Sequence, residues 1–507
     1  MPGISPYLDR LVPDESGDQD LRRHLARDAR TRLRKTLGSW ALLLGRARSP
    51  NSKLARSRVR SVVRFTSSVL RDARTSDRDR WLSSPELRSW IASVEDALLV
   101  GNAAHRAWRA ELRRGRTSSS RSHLVDAVVE LGELSSIAPS GSLPADFPLR
   151  ALRLAMRHLD RGAREFPLLV LPFLPPAARR GRFSVPFVES PGQGRSRWEL
   201  HIPAAGLKFE RRGRRPARLP FILGRRSLRV GGLCLPYPAV EMGLPVSGPL
   251  VGATVASGPR RMIVGRRDGT FAKRVARAFG LMGDTWPEAA SMVAARTRLV
   301  VPLREPGTVS FSSARWPGVS YINVRSAPLV RLAEDLLHEA THQRLHEIES
   351  VLSLVAGTGV PEESMEPRYY SPWRREWRPL RGLLHGGATF TVGARFFEEL
   401  LRASQGARRR IRLPASRRRW LARRLLEEME NVRVALRSLQ KASREGHLSP
   451  AGAKLVRTIA KERRELLVAA RRRRGELARS VEGRRELARL AAHVRRVAEE
   501  RTRWNWD

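Results

Sequence analysis

Leu336-Leu337-His338-Glu339-Ala340-Thr341-His342, inside the run Ala333 to Glu349, is the stretch whose reading decides the fold around it. Leu332, Leu336, Leu337, Ala340, Leu345 and Ile348 recur at helical spacing, and no Gly or Pro interrupts the chain between Leu329 and Val355. The spacing predicts a helix. His338 and His342 stand one turn apart on it, so their imidazoles leave the same face and can share a metal ion. Glu339 sits about 100° further round, where a carboxylate can flank that ion and a water or ligand. H-E-x-x-H patterns arise by chance in long chains, and many helical His pairs are only packed or solvated. In a chain with 11 His among 507 residues, the gathering of His338, His342, His346 and then His385 favours a metal site.

The chain carries 96 Lys and Arg against 50 Asp and Glu, a net charge of +46. Such a field draws polyanions: nucleic acid, acidic peptides or anionic lipid surfaces. Arg is nevertheless spread over the whole chain beside abundant Ala, Leu, Gly and Pro, the pattern that a general bias toward Arg codons also gives. Cys234 is the single cysteine, which excludes an intrachain disulfide and any Cys-based zinc or iron–sulfur site. A reducing, cytoplasmic setting is the expectation. Met1 to Asp20 lacks a signal-peptide core, and no apolar run reaches the roughly 18 to 20 residues of a membrane span. The expectation is therefore a chain with no membrane partner.

The predicted class is α+β, predominantly helical, with a small sheet ahead of the His-bearing helix. Residues 1–150 read as a helical region: Leu21, Leu25, Ala29, Leu33 and Leu37 form one stripe, repeated over Val59 to Leu70 and Trp90 to Leu112. Ile137 to Phe147 has the Ser, Pro and Gly of a linker. Residues 151–260 change to short apolar runs punctuated by Gly and Pro, such as Trp198 to Ile202 and Leu228 to Val230, which is β-type spacing. Gly192-Gln193-Gly194 reads as a turn, and Arg211, Arg212, Arg214 and Arg215 as an exposed loop. Residues 261–405 form the expected metal-binding unit: helices from Thr270 and Pro287, strands Arg298 to Leu303, Val309 to Ser313 and Val319 to Val324, the His-bearing helix, and a second helix from about Leu380 to Leu401. Residues 406–507 read as an Arg-rich antiparallel helical hairpin broken at Glu445 to Pro450, its second arm running to about Glu500.

Two helical histidines are too few for a catalytic metal. His346 is two turns from His338, about 12 Å along a straight axis, and Leu345 and Ile348 stand where the extended protease motif needs Gly and His. His385, on the following helix, is the better third ligand, with Glu362, Glu363, Glu366, Glu398 and Glu399 as competing carboxylates. Arg374, Arg378 and Arg381 flank His385 and could hold the far carboxylate of an oxo-acid co-substrate, with Ser371 or Tyr370 adding a hydroxyl.

Trp286-Pro287-Glu288, Val300-Val301-Pro302-Leu303, Leu337 to Gln343, Tyr370-Ser371-Pro372-Trp373-Arg374, Arg378-Pro379-Leu380 and Leu384-His385-Gly386 together resemble the HExxH-motif proteins of bacterial ribosomal peptide biosynthesis, iron- and 2-oxoglutarate-dependent peptide β-hydroxylases. The resemblance covers roughly Arg261 to Glu399. It implies that His338, His342 and His385 hold Fe(II), that Arg374 or Arg378 holds the 2-oxoglutarate carboxylate, and that the substrate is a peptide or protein, an acidic one suiting the basic surface. Glu339 would then position groups around the metal. In the competing reading, a zinc metallopeptidase, Glu339 is the general base. A third reading is a non-enzymatic nucleic-acid-binding protein.

Overall fold

The computed structural model describes residues 6–46 except 14, parts of 79–104, Ala155 and Leu159, six strands between 182 and 236, and most of 269–503. The stretches Val59 to Leu70, Ile137 to Phe147, Gly192 to Gly194 and Arg212 to Arg215 lie outside the described residues. The architecture is predominantly helical α+β, as the sequence patterns require. Helix α1 (Glu15–Arg46) buries Leu21, Leu25, Ala29, Leu33 and Leu37, the stripe marked by their spacing.

Strands β1 (Arg182–Val185), β2 (Trp198–His201) and β3 (Lys208–Arg211) pair in order as one antiparallel sheet. A second contains β4 (Leu223–Gly224), β5 (Ser227–Val230) and β6 (Leu233–Pro236). Arg211 thus closes a strand, where the sequence reading put it in a loop. Leu207 and Phe209 carry the period of two there, hidden among charged neighbours.

Helices α2 (Gly269–Thr285) and α3 (Pro287–Arg296) follow, with Pro287 in the first turn of α3, where its missing N–H costs nothing. They lead to a sheet of β7 (Leu299–Leu303), β8 (Phe311–Ser312) and β9 (Val319–Asn323). β9 is central, parallel to β7 and antiparallel to β8. Pro302 is tolerated because β7 is an edge strand.

The sheet packs on α4 (Leu329–Glu349), the His-bearing helix. Gln343 fastens the two, accepting from the Gly318 N–H at 3.3 Å and donating through Nε2 to the Val319 carbonyl at 3.0 Å. The Ser310 hydroxyl donates to Asp335 at 3.3 Å.

Beyond α4 the chain makes a hairpin of β10 (Arg368–Ser371) and β11 (Glu376–Pro379), then runs directly into α5 (Leu380–Ala403). Helices α6 (Ala415–Arg444) and α7 (Pro450–Ala478) form the expected antiparallel pair. The second arm does not continue to residue 500. It ends at Ala478, and α8 (Val481–Arg503) packs back against both. The Ser480 hydroxyl accepts from the Gly483 N–H at 3.0 Å, and a Cβ at Gly483 would fall 2.0 Å from the Leu477 carbonyl oxygen, so the turn needs glycine there. One apolar cluster runs from Tyr7 and Leu25 through Trp286, Leu336 and Leu384 to Ile459 and Leu490. Among the described residues, no helix is long and apolar enough to cross a membrane.

Candidate metal centre

Helix α4 is buried along most of its circumference, against α2, α3, α5, β8 and β9. From Arg331 to Glu349 the partly exposed positions are Arg331, Asp335, His338, His342, His346 and Glu349. They recur every three or four residues and so form one stripe. All six are titratable. The open face of an otherwise enclosed helix is thus a row of ligand-type side chains.

His338 and His342 approach through their Nε2 atoms at 3.2 Å, with ring centroids 4.8 Å apart. His385 reaches the row from the first turns of α5, its Nδ1 3.2 Å from Nδ1 of His342. His342 therefore shows one ring edge to His338 and the other to His385. All three rings are brought together, but their nitrogens do not point at a single spot, and one ion bound by all three needs a turn of the His342 or His385 ring.

The wall beside His338 is aromatic. Phe390 meets His338 edge to face at 4.9 Å, and Trp373 stacks on Phe390 at 4.6 Å while its indole N–H donates to Glu428 at 2.8 Å.

Burial keeps the imidazoles of His338 and His342 neutral. It pulls His338 down to about 3, with Arg331 and Arg374 adding to the effect. His342 is pulled well below its ordinary value by burial, then by the other histidines and Arg378. Proton-free imidazoles are the form that ligates metals. Glu339 is 1 % exposed, and burial pushes its carboxyl up to about 8 against the opposing pulls of Ser312 and Arg374. Its Oε2 has no hydrogen-bond partner among the described residues.

Arg374 and Arg378 lie on the β10–β11 hairpin, close enough for their charges to act on His338 and His342 respectively. Ser371 ends β10 and is buried. The Tyr370 hydroxyl is committed elsewhere, donating to Glu500 on α8 at 3.2 Å. Of the competing carboxylates, Glu398 pairs with Arg473 at 2.9 Å and Glu399 with Arg402 at 3.6 Å, whereas Glu362, Glu363 and Glu366 lie outside the described residues.

Sequence reasoning missed Glu349. Its Oε2 lies 3.2 Å from Nε2 of His385 and 3.5 Å from Nδ1 of His346. Burial pushes this carboxyl upward, but His385, His346 and Arg381 outweigh it and hold the group well below the usual carboxylate range. The signal was present in the H-x-x-E spacing of His346 and Glu349, which continues the stripe of His338 and His342. α4 remains helical through His346, so that residue stays two turns from His338 and meets His385 instead, ring centroids 5.0 Å apart.

No protein-family model matches the chain, and no curated protein matches its sequence.

Proposed function

We propose that the chain is an Fe(II)- and 2-oxoglutarate-dependent enzyme that hydroxylates a side-chain β-carbon in a ribosomally made peptide or protein. The observation carrying this reading is the histidine cluster His338, His342 and His385, with the charges of Arg374 and Arg378 acting on its first two members. Ligand nitrogens about 2.1 Å from an ion and cis to each other lie about 3 Å apart. The 3.2 Å between the Nε2 atoms of His338 and His342 fits that requirement. The donor chemistry suits Fe(II), with His385 supplying the third imidazole. When bound, iron with 2-oxoglutarate and oxygen supplies oxidative decarboxylation coupled to C–H hydroxylation.

The chain's own groups do the binding and positioning. Arg374 or Arg378 holds the distal carboxylate of 2-oxoglutarate through its guanidinium fork. Phe390 and Trp373 exclude water on the His338 side. Glu339, buried beside His338 with an unpartnered oxygen, positions groups around the ion. The outer edge of β7 can pair with an extended peptide through main-chain hydrogen bonds.

A zinc peptidase is the second reading, favoured by the unpartnered Oε2 of Glu339 beside His338, where the carboxylate would act as base toward water. Anaerobically purified protein reconstituted separately with Fe(II) and Zn(II) decides between them. Iron-dependent conversion of 2-oxoglutarate to succinate, with a mass gain of one oxygen in a candidate peptide, is expected, and His385→Ala should reduce it to background. Tight zinc binding and peptide cleavage without succinate would transfer the assignment to the peptidase.

A further inference from the structure

His346, Glu349 and His385 each offer one ligand atom, and these atoms all lie within 4.8 Å of one another. Among the described residues no other such group of three was found, and it is not the set that the H-E-x-x-H motif marks. Both imidazoles are drawn to the same oxygen, Oε2 of Glu349, at 3.2 and 3.5 Å. The other oxygen, Oε1, lies 3.2 Å from Nε of Arg381, one turn before His385 on α5. A carboxylate oriented in this way presents a single oxygen beside two ring nitrogens. Two histidines and one carboxylate with open positions are a donor set for divalent transition metals.

We propose that His346, Glu349 and His385 form a second seat for a divalent transition-metal cation, next to the His338–His342 pair. His385 stands between the two seats, with Nδ1 toward His342 and Nε2 toward Glu349. The competing account is that Glu349 only fixes the ring of His385, as carboxylates behind metal-bound histidines do. That account gives His346 no work, yet His346 faces the same oxygen of Glu349 at 3.5 Å. The seat stands on the side-chain cluster alone and does not depend on the reaction proposed above.

Counting ions tests it. The full chain, stripped with a chelator, is titrated with Co(II) under anaerobic conditions, and bound cobalt is measured by elemental analysis alongside visible ligand-field absorption. Wild-type protein should retain two ions per chain. His346→Ala and the isosteric Glu349→Gln should each retain one, as should the double variant His338→Ala/His342→Ala, whose remaining absorption should then vanish on adding Glu349→Gln. Circular dichroism of the stripped proteins checks that each variant is folded. A single ion in wild-type protein, or two ions in folded Glu349→Gln and His346→Ala, overturns the second seat. Two ions without 2-oxoglutarate turnover would sink the proposed reaction and leave the seat standing, and turnover with one ion would do the reverse.

Discussion

The two faces of α4 solve the same problem, buried titratable groups, in opposite ways. On the rear face, charges are kept and paired. Arg296 of α3 is 3 % exposed and bonds Glu347 of α4 at 2.8 Å as well as Asp18 of α1, while Arg88 reaches the same Glu347 at 3.0 Å. Arg344 donates to the Tyr7 carbonyl. On the front face, His338 and His342 hold no proton, and Glu339 has an unpartnered oxygen. The rear is therefore a clamp joining α1, α3 and α4. On the front, the nitrogens of His342 face only those of His338 and His385 among the described residues.

Arg296→Met gives the largest expected break in that comparison. Removing one member of a buried charge cluster leaves Asp18 with Arg22 and Glu347 with Arg88 as their remaining partners, a loss of about 3 kcal/mol. His342→Ala on the front should cost only about 1 kcal/mol in the metal-free chain. Denaturant unfolding of both stripped variants checks this, and equal losses would mean that the front is also a structural cluster.

Glu334 sharpens the contrast, because it has arginine neighbours like the rear's acids yet lies one turn before His338. It is 4 % exposed, and Arg331 and Arg424 approach it only to 3.4 and 3.9 Å. Burial therefore prevails over their attraction and raises its carboxyl to about 7. A folded pKa above the ordinary 4.5 means that the protonated form is favoured on folding: the stabilisation is full below about 4.5 and is lost as pH rises through 7. Glu334→Gln should match wild-type stability near pH 4.5 and exceed it at pH 8 by about 2–3 kcal/mol. Paired unfolding curves at the two pH values measure it, and a parallel offset at both would remove Glu334 from the titration.

Much of this arrangement is legible in the sequence, for a physical reason. α4 and α5 announce themselves through unbroken apolar periodicity, and His338, His342 and His385 through residue type and order. What periodicity cannot express is where α5 crosses α4. That crossing brings His385 between His342 and His346 and sets Glu349 against both His385 and Arg381, a pairing that the H-x-x-E spacing does not give by itself. The β10–β11 hairpin escaped notice because its strands are four residues long and flank the charged, aromatic turn Pro372 to Arg375, with Arg375 at φ 57°. The α7–α8 break carries no Pro, and its marker is Gly483 inside an apparently continuous helical pattern.

Gly386 offers the smallest but most local test of how the front face is supported. It follows His385 on α5, and a Cβ there would lie 3.1 and 3.2 Å from two atoms of the Trp373 ring, tighter than ordinary contact. Alanine in a helix interior gains about 1 kcal/mol over glycine. Here that gain opposes displacement of Trp373 from Phe390 and from its bond to Glu428. Gly386→Ala alone should therefore be neutral or destabilising by up to about 1 kcal/mol, whereas in a Trp373→Ala background the same change should stabilise by about 1 kcal/mol. A double-mutant cycle of unfolding free energies measures the coupling. A sign reversal between the two backgrounds places Trp373 against Gly386 in solution and makes the small residue after His385 the reason that an aromatic wall can close beside His338. An unchanged effect would mean that the hairpin carrying Arg374 and Arg378 stands away from α5 in solution.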